Sequence, residues 1–183
     1  YNDRIKYDKP KLNYGVGFNF ELNKNLSIEG TLNPDFSQVE SDATRIDINS
    51  PTAINYPEKR PFFNRGIDAM DYQIDVFYSR SINDPSFASK LINQGRRSRL
   101  YVLSAFDEQT PYLVPTQYES FSGIAGKSFS NVVRYQNFIN SNTQVGLLAS
   151  NRYYEGDAYG NLYGFDALLN FCLLYTSPSP RDL

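Results

Sequence analysis

Apolar residues recur at every second position over much of the chain, a period that fits a β-strand with two unlike faces and not an amphipathic helix. The clearest run places Leu12, Tyr14, Val16, Phe18, Phe20 and Leu22 on one face, with Asn13, Gly15, Gly17, Asn19 and Glu21 on the other. Its length is close to the 9–11 residues, roughly, that a tilted strand needs to cross a bilayer. A polar turn, Asn23-Lys24-Asn25, follows. Beyond it Leu26, Ile28, Gly30 and Leu32 oppose Ser27, Glu29 and Thr31, so the two runs read as a hairpin.

The same pattern returns downstream. Tyr72, Ile74, Val76 and Tyr78 alternate with Gln73, Asp75, Phe77 and Ser79, and Val145, Leu147 and Ala149 with Gln144, Gly146 and Leu148. Leu100, Val102 and Phe106 alternate less cleanly with Arg99, Tyr101 and Leu103. Tyr163, Phe165, Ala167, Leu169 and Phe171 form an apolar face against Gly164, Asp166, Leu168 and Asn170. A mid-strand Asp166 has to meet water, a polar lumen or a partner, because an unpaired carboxylate in hydrocarbon is costly. Polar stretches at 33–44, 50–71, 81–96, 107–128 and 154–160 read as loops, with a short helix possible over Phe87–Asn93. Short turns on one side and long loops on the other fit an outer-membrane barrel better than a soluble sandwich.

Composition narrows the chemistry. The 183 residues hold 15 Tyr and 13 Phe, but no Trp, no His and one Cys. Without His the commonest general base and metal ligand is absent, and one Cys forms no intramolecular disulfide. A formal net charge of −2 gives no footprint for nucleic acid. No apolar run is long enough for a transmembrane helix. The mean hydropathy of −0.51 suits a soluble protein, yet a barrel with a polar inner face and polar loops has the same value. The aromatics fit either a β-rich core or the interfacial girdles of a barrel.

The stretch from Cys172 to Leu183 breaks the preceding pattern and reads as one translated frame of a transposase-type sequencing adapter. The expected division is therefore 1–171 for the first portion of a barrel domain and 172–183 for a non-native tail, with the gene continuing past Phe171.

Several clusters are candidates for chemistry. In Tyr56-Pro-Glu-Lys-Arg-Pro-Phe-Phe63 two prolines fix φ and remove donors, which favours a rigid extended loop. Glu58, Lys59 and Arg60 can form a buried charge network inside a lumen, with Phe62 and Phe63 anchoring the loop on the wall. Such a loop is either a constriction or binding element, or a structurally required infold. Asp35, Glu40, Asp42 and Asp47 offer paired carboxylates for glycosidase or Ca²⁺ chemistry, although their spacing matches no EF-hand. Arg96-Arg97-Ser98-Arg99 is either a grip for phosphate or lipopolysaccharide headgroups or an ordinary charged strand end. Asn25-Leu26-Ser27 fits a glycosylation sequon only weakly. Nucleophile elbow, phosphate loop and zinc spacing are all missing, so no catalytic residue, metal or cofactor is expected.

On these residues the sequence resembles a bacterial family of exported proteins that pair a family-9-like carbohydrate-binding domain with a C-terminal outer-membrane-type barrel of unknown function. The stretches that carry the resemblance are Leu32-Asn-Pro-Asp-Phe-Ser-Gln-Val-Glu40, the Tyr56–Phe63 motif, Phe77-Tyr-Ser-Arg80, Thr110-Pro-Tyr-Leu-Val-Pro115, Ser120-Phe-Ser-Gly123 and Val145-Gly-Leu-Leu148. The resemblance implies an outer-membrane location, outer-membrane lipid as partner and handling of a glycan or other small solute. It supplies no mechanism. The fold expected is all-β, an antiparallel up-and-down transmembrane β-barrel present as a partial barrel or curled open sheet. The binding or lumen-loop candidates are Glu58, Lys59, Arg60, Phe62, Phe63, Asp35 and Glu40. The competing expectation is a soluble β-rich domain that binds or hydrolyses glycans, which calls for polar residues on the outer face of most strands.

Overall fold

Alternating side chains make strands whose two faces differ, and strands joined by two- or three-residue turns pair with their sequence neighbours. The computed structural model, which describes residues 14–36, 58–70, 77–115 and 120–170, follows that logic. Its strands are β1 (Val16–Asn23), β2 (Leu26–Leu32), β3 (Pro85–Gln94), β4 (Ser98–Asp107), β5 (Pro111–Pro115), β6 (Ser120–Ile124), β7 (Ser128–Asn140), β8 (Thr143–Tyr154) and β9 (Tyr159–Leu169). Seven of them form one sheet in the order β1-β2-β3-β4-β7-β8-β9, every pairing antiparallel. The hairpin β5-β6 is a separate two-stranded sheet inserted between β4 and β7. The sheet is open: among the described residues β1 and β9 each pair on one side only.

Short turns at 24–25, 95–97 and 141–142 close one end of the sheet. In two of them an asparagine starts the turn. Asn23 Oδ1 accepts the N–H groups of Asn25 and Leu26, and Asn140 Oδ1 accepts that of Asn142. The longer connections, 33–84, 108–127 and 155–158, join strands at the opposite end.

Register fixes which side chains share a face, because directly paired residues point the same way. Phe20, Ile28, Leu91, Val102, Val133, Ala149 and Tyr163 pair in turn across all seven strands. This face is the uncovered one, with Phe20 62% and Phe165 68% exposed. One residue along, Glu29, Lys90, Leu103, Val132 and Ser150 pair in turn on the other face. There Lys90 and Arg134 are 1% exposed. One face is left bare and carries aromatic side chains, while the other buries charged side chains among apolar ones.

The covering comes from the described residues of the 58–84 stretch, 58–70 and 77–84, which lie over β2, β3, β4 and β7. It contributes one helical turn, α1 (Pro61–Asn64), and 3-10 turns at Ile67–Met70 and Ser79–Ser81. Phe63, Ala69 and Ile82 pack with Ala88, Ile92, Tyr101, Leu103, Ala105, Val132 and Leu148 of the sheet. Gly66 sits at φ +76 between the two turns, and a Cβ there would come within 2.5 Å of Ile92 Cδ1. That position needs glycine for both its backbone and its clearance.

Several sequence expectations need correction. The stretch 81–96, read as a loop with a helix over Phe87–Asn93, is mostly strand β3. Both faces of β3 carry apolar and polar residues, so no two-residue period was visible. The loop expected at 107–128 contains the β5-β6 hairpin. The motif expected to be extended turns helical at Pro61–Asn64, where Pro61 sits at the start and loses no hydrogen bond. Of the strand expected over Tyr72–Ser79, residues 72–76 lie outside the described residues, and Ser79 begins a 3-10 turn. Leu12, Phe171 and the 172–183 tail also lie outside them.

Candidate functional site

The site is the contact between the 58–84 stretch and the polar face of the sheet. At its centre Glu58 and Arg60 form a nearly water-free ion pair, both side chains 4% exposed. Proline on either side of this trio limits the backbone, and the chain folds the two side chains onto one another. Arg60 donates from Nε to Glu58 Oε1 at 2.9 Å and from Nη2 to Oε2 at 2.8 Å, a two-pronged charge-assisted contact. Its backbone N–H also reaches Oε1 at 2.8 Å. Two further guanidinium N–H groups donate to the carbonyls of Ile82 at 2.6 Å and Ser79 at 3.0 Å, while Ser79 Oγ donates to Glu58 Oε2 at 2.5 Å. Arg60 thereby ties the start of the stretch to its end. Burial raises the Glu58 carboxyl, but the hydrogen bonds from Arg60 and Ser79 and the Arg60 charge outweigh it and hold the group below its ordinary value of 4.5.

The guanidinium also lies over two rings, 4.2 Å from the Phe63 centroid and 5.2 Å from that of Phe36. Phe36 belongs to the Leu32–Glu40 motif and Phe63 to the Tyr56–Phe63 motif, and the rings are 6.0 Å apart. The two sequence motifs therefore meet at one cation.

Three groups of the sheet grip the backbone of the stretch. Lys90 Nζ donates to the carbonyls of Phe62 and, at 2.7 Å, Arg65, and lies 4.8 Å from the Phe62 ring. Arg152 donates from Nη1 to the Ser81 carbonyl at 3.1 Å and from Nη2 to Ser81 Oγ at 2.9 Å. Asp107 accepts the N–H groups of Asn83 and Asp84 at 3.1 and 2.6 Å. Glu29 bridges Lys90 and Arg65 at 3.0 and 2.9 Å, which compensates the lysine where water is excluded. Farther along the same face Arg134 of β7 reaches Asp166 of β9, its Nη2 2.9 Å from Oδ2. The intervening strand lets it pass because Gly146 has no side chain: a Cβ would stand 2.3 Å from Asp166 Oδ1 and 2.6 Å from Arg134 Nη1.

Of the residues expected from sequence, Glu58, Arg60, Phe62 and Phe63 come together here. Lys59 and Asp35 are exposed, and Glu40, Asp42 and Asp47 lie outside the described residues. Glu29, Lys90, Asp107 and Arg152 were not expected. The available signal was a charge in mid-strand, which singled out Asp166 and applies equally to Lys90. Among the described residues no cluster of three or more His, Cys, Asp or Glu side chains fits a metal ion.

Comparison with known families matches residues 1–99 to a family described as a domain of unknown function, DUF5916. Neither the curated proteins nor the solved structures give a match. The match covers β1, β2, the 58–84 stretch and β3, and so takes in Glu58, Arg60, Phe63 and Lys90. With 99 of its 183 residues inside the match, the chain belongs to the DUF5916 domain family.

Proposed function

We propose that the chain is part of a non-enzymatic outer-membrane β-barrel. In this reading the aromatic face of the sheet meets lipid, and the 58–84 stretch occupies the interior as a plug. The protein serves the binding or passage of a polar solute, a glycan being the class that the family resemblance suggests. The observation that carries the reading is the contrast between the faces: Phe20 and Phe165 are largely exposed on one, while Lys90 and Arg134 are buried on the other. In water such an apolar sheet face would be an association hazard; in hydrocarbon it is the expected surface. The placement of short turns at one end and long connections at the other supports the same reading. No described helix is long and apolar enough to cross a membrane. A soluble glycan-binding domain would need polar side chains where Phe20, Val133 and Tyr163 stand.

The test is refolding of the full-length protein, with the strands that complete its barrel, from urea into phosphatidylcholine vesicles. Flotation with the vesicles, resistance to carbonate extraction and protease protection of the strands are expected. Recovery as a folded monomer in the aqueous fraction, with no vesicle-bound protein, would overturn the reading.

A further inference from the structure

The two ends of the sheet carry opposite charge. At the short-turn end the turns and adjoining strand ends contain Lys24, Arg96, Arg97 and Arg99, and no acidic residue. Lys24, Arg96 and Arg97 are exposed and form no ion pair among the described residues, while Arg99 lies 5.2 Å from the Phe138 ring. The nearest carboxylates approach from the side: Glu21 is engaged with Arg65, and Asp68 accepts from Gln94. At the opposite end Asp84, Glu108, Glu155 and Asp157 stand against Lys127, which is held by Glu108 at 3.0 Å. The basic turns also adjoin the bare apolar face. Leu22 and Leu147 on strands close to this end are 61% and 55% exposed, and Ile139, next to the β7–β8 turn, is 64% exposed.

A rim of unpaired cations bordering an exposed apolar surface has the layout of a headgroup contact. The hydrocarbon-facing side chains place the neighbouring arginines at phosphate depth, where guanidinium forks bind phosphate oxygens. We infer that the short-turn rim, centred on Arg96 and Arg97, binds the phosphate headgroups of anionic phospholipid in the leaflet it meets. The inference rests on the membrane reading above and deepens it by naming the lipid class and the side of the barrel that holds it.

The test uses the same full-length protein in phosphatidylcholine vesicles carrying trace spin-labelled phosphatidylglycerol or spin-labelled phosphatidylcholine, with the motionally restricted fraction of each lipid measured. A preference for phosphatidylglycerol is expected, and it should shrink as salt is raised because the contacts lie at the water boundary. Arg96→Gln with Arg97→Gln should lower the relative association constant by about fivefold for each charge removed at low salt, down to the limit of no preference. The pair Arg96→Lys with Arg97→Lys should keep most of it, and Glu155→Gln with Asp157→Asn should leave it unchanged. Equal restriction of the two lipids around the parent chain would overturn the inference while leaving the membrane reading intact. Absence of any restricted component would remove both.

Discussion

Arg60 donates to acceptors at both ends of the 58–84 stretch and is buried with its carboxylate partner, so its loss leaves a charge with nowhere to go. Arg60→Gln should destabilise the fold by roughly 3–5 kcal/mol, the range for breaking a buried pair from one side. A lowered urea midpoint measures it, and an unchanged midpoint would show that the stretch is not held this way. Glu58 adds a pH dependence. Its folded value lies below 4.5, so its ionisation stabilises the fold above the unfolded value, and that contribution fades as pH falls through the lowered folded one. Protease cleavage within the stretch should therefore rise on acidification, and Glu58→Gln should flatten the profile. At Gly146 the clearance argument predicts that Gly146→Val drives Arg134 and Asp166 apart, again at roughly 3–5 kcal/mol. In an Asp166→Ala background the same change should cost clearly less, since the pair it disrupts is already gone. Glu58 and Arg60 were legible because two prolines bracket a dense charge motif. Arg152 was not: besides Ser130 Oγ on the neighbouring strand, it holds Ser81 Oγ and the Ser81 carbonyl 71 residues away, and no local pattern encodes that.

Strands were legible where the two faces keep different company. β1 and β9 have few covering residues on either face, β2 and β8 keep an apolar side distinct from the other, and the alternation of all four is plain. β4 blurred because Tyr101, Leu103 and Ala105 join the core under the stretch while Val102 and Phe106 sit on the bare face, so both faces are apolar. β3 and the 13-residue β7 were missed for a related reason. Lys90, Arg134 and Gln136 share a face with Ile92 and Val132, and Ser89 and Asn131 interrupt the other. The interruptions on the bare face are partly satisfied across strands: Ser104 Oγ donates to Asn131 Oδ1 at 2.8 Å, and Asn151 Nδ2 to Asn161 Oδ1 at 2.7 Å. Element polarity makes a sharp prediction at Val133, in the middle of β7 on the bare face. Val133→Lys should cost about 2–4 kcal/mol in vesicle refolding if that face meets the bilayer centre. The same change on a water-facing sheet would stay within about 0.5 kcal/mol. Refolding titrations of the two chains in urea with vesicles present decide between them.

Seven antiparallel neighbours leave β1 and β9 pointing the same way, so antiparallel closure of this sheet into a barrel takes an odd number of further strands. Whatever supplies them, the covered face of the sheet is already occupied by the stretch, whose polar attachment is mainly from side chains of the sheet to its backbone groups. Lys90, Arg152 and Asp107 would keep their positions in the ladder if the stretch were gone, because their own backbones are held by β3, β8 and β4. The outer face does not depend on the stretch at all. Replacing residues 61–81 with a short Gly/Ser linker should therefore lower the urea midpoint, through loss of the Phe63, Ala69 and Ile82 contacts, and yet leave vesicle insertion intact. If the stretch plugs a barrel as proposed, liposomes carrying the completed barrel without it should swell faster in small neutral sugars than those carrying the parent protein. Two results would refute this. Loss of insertion would show that the stretch is core on which the strands depend, and swelling no faster than the parent would show that it blocks nothing.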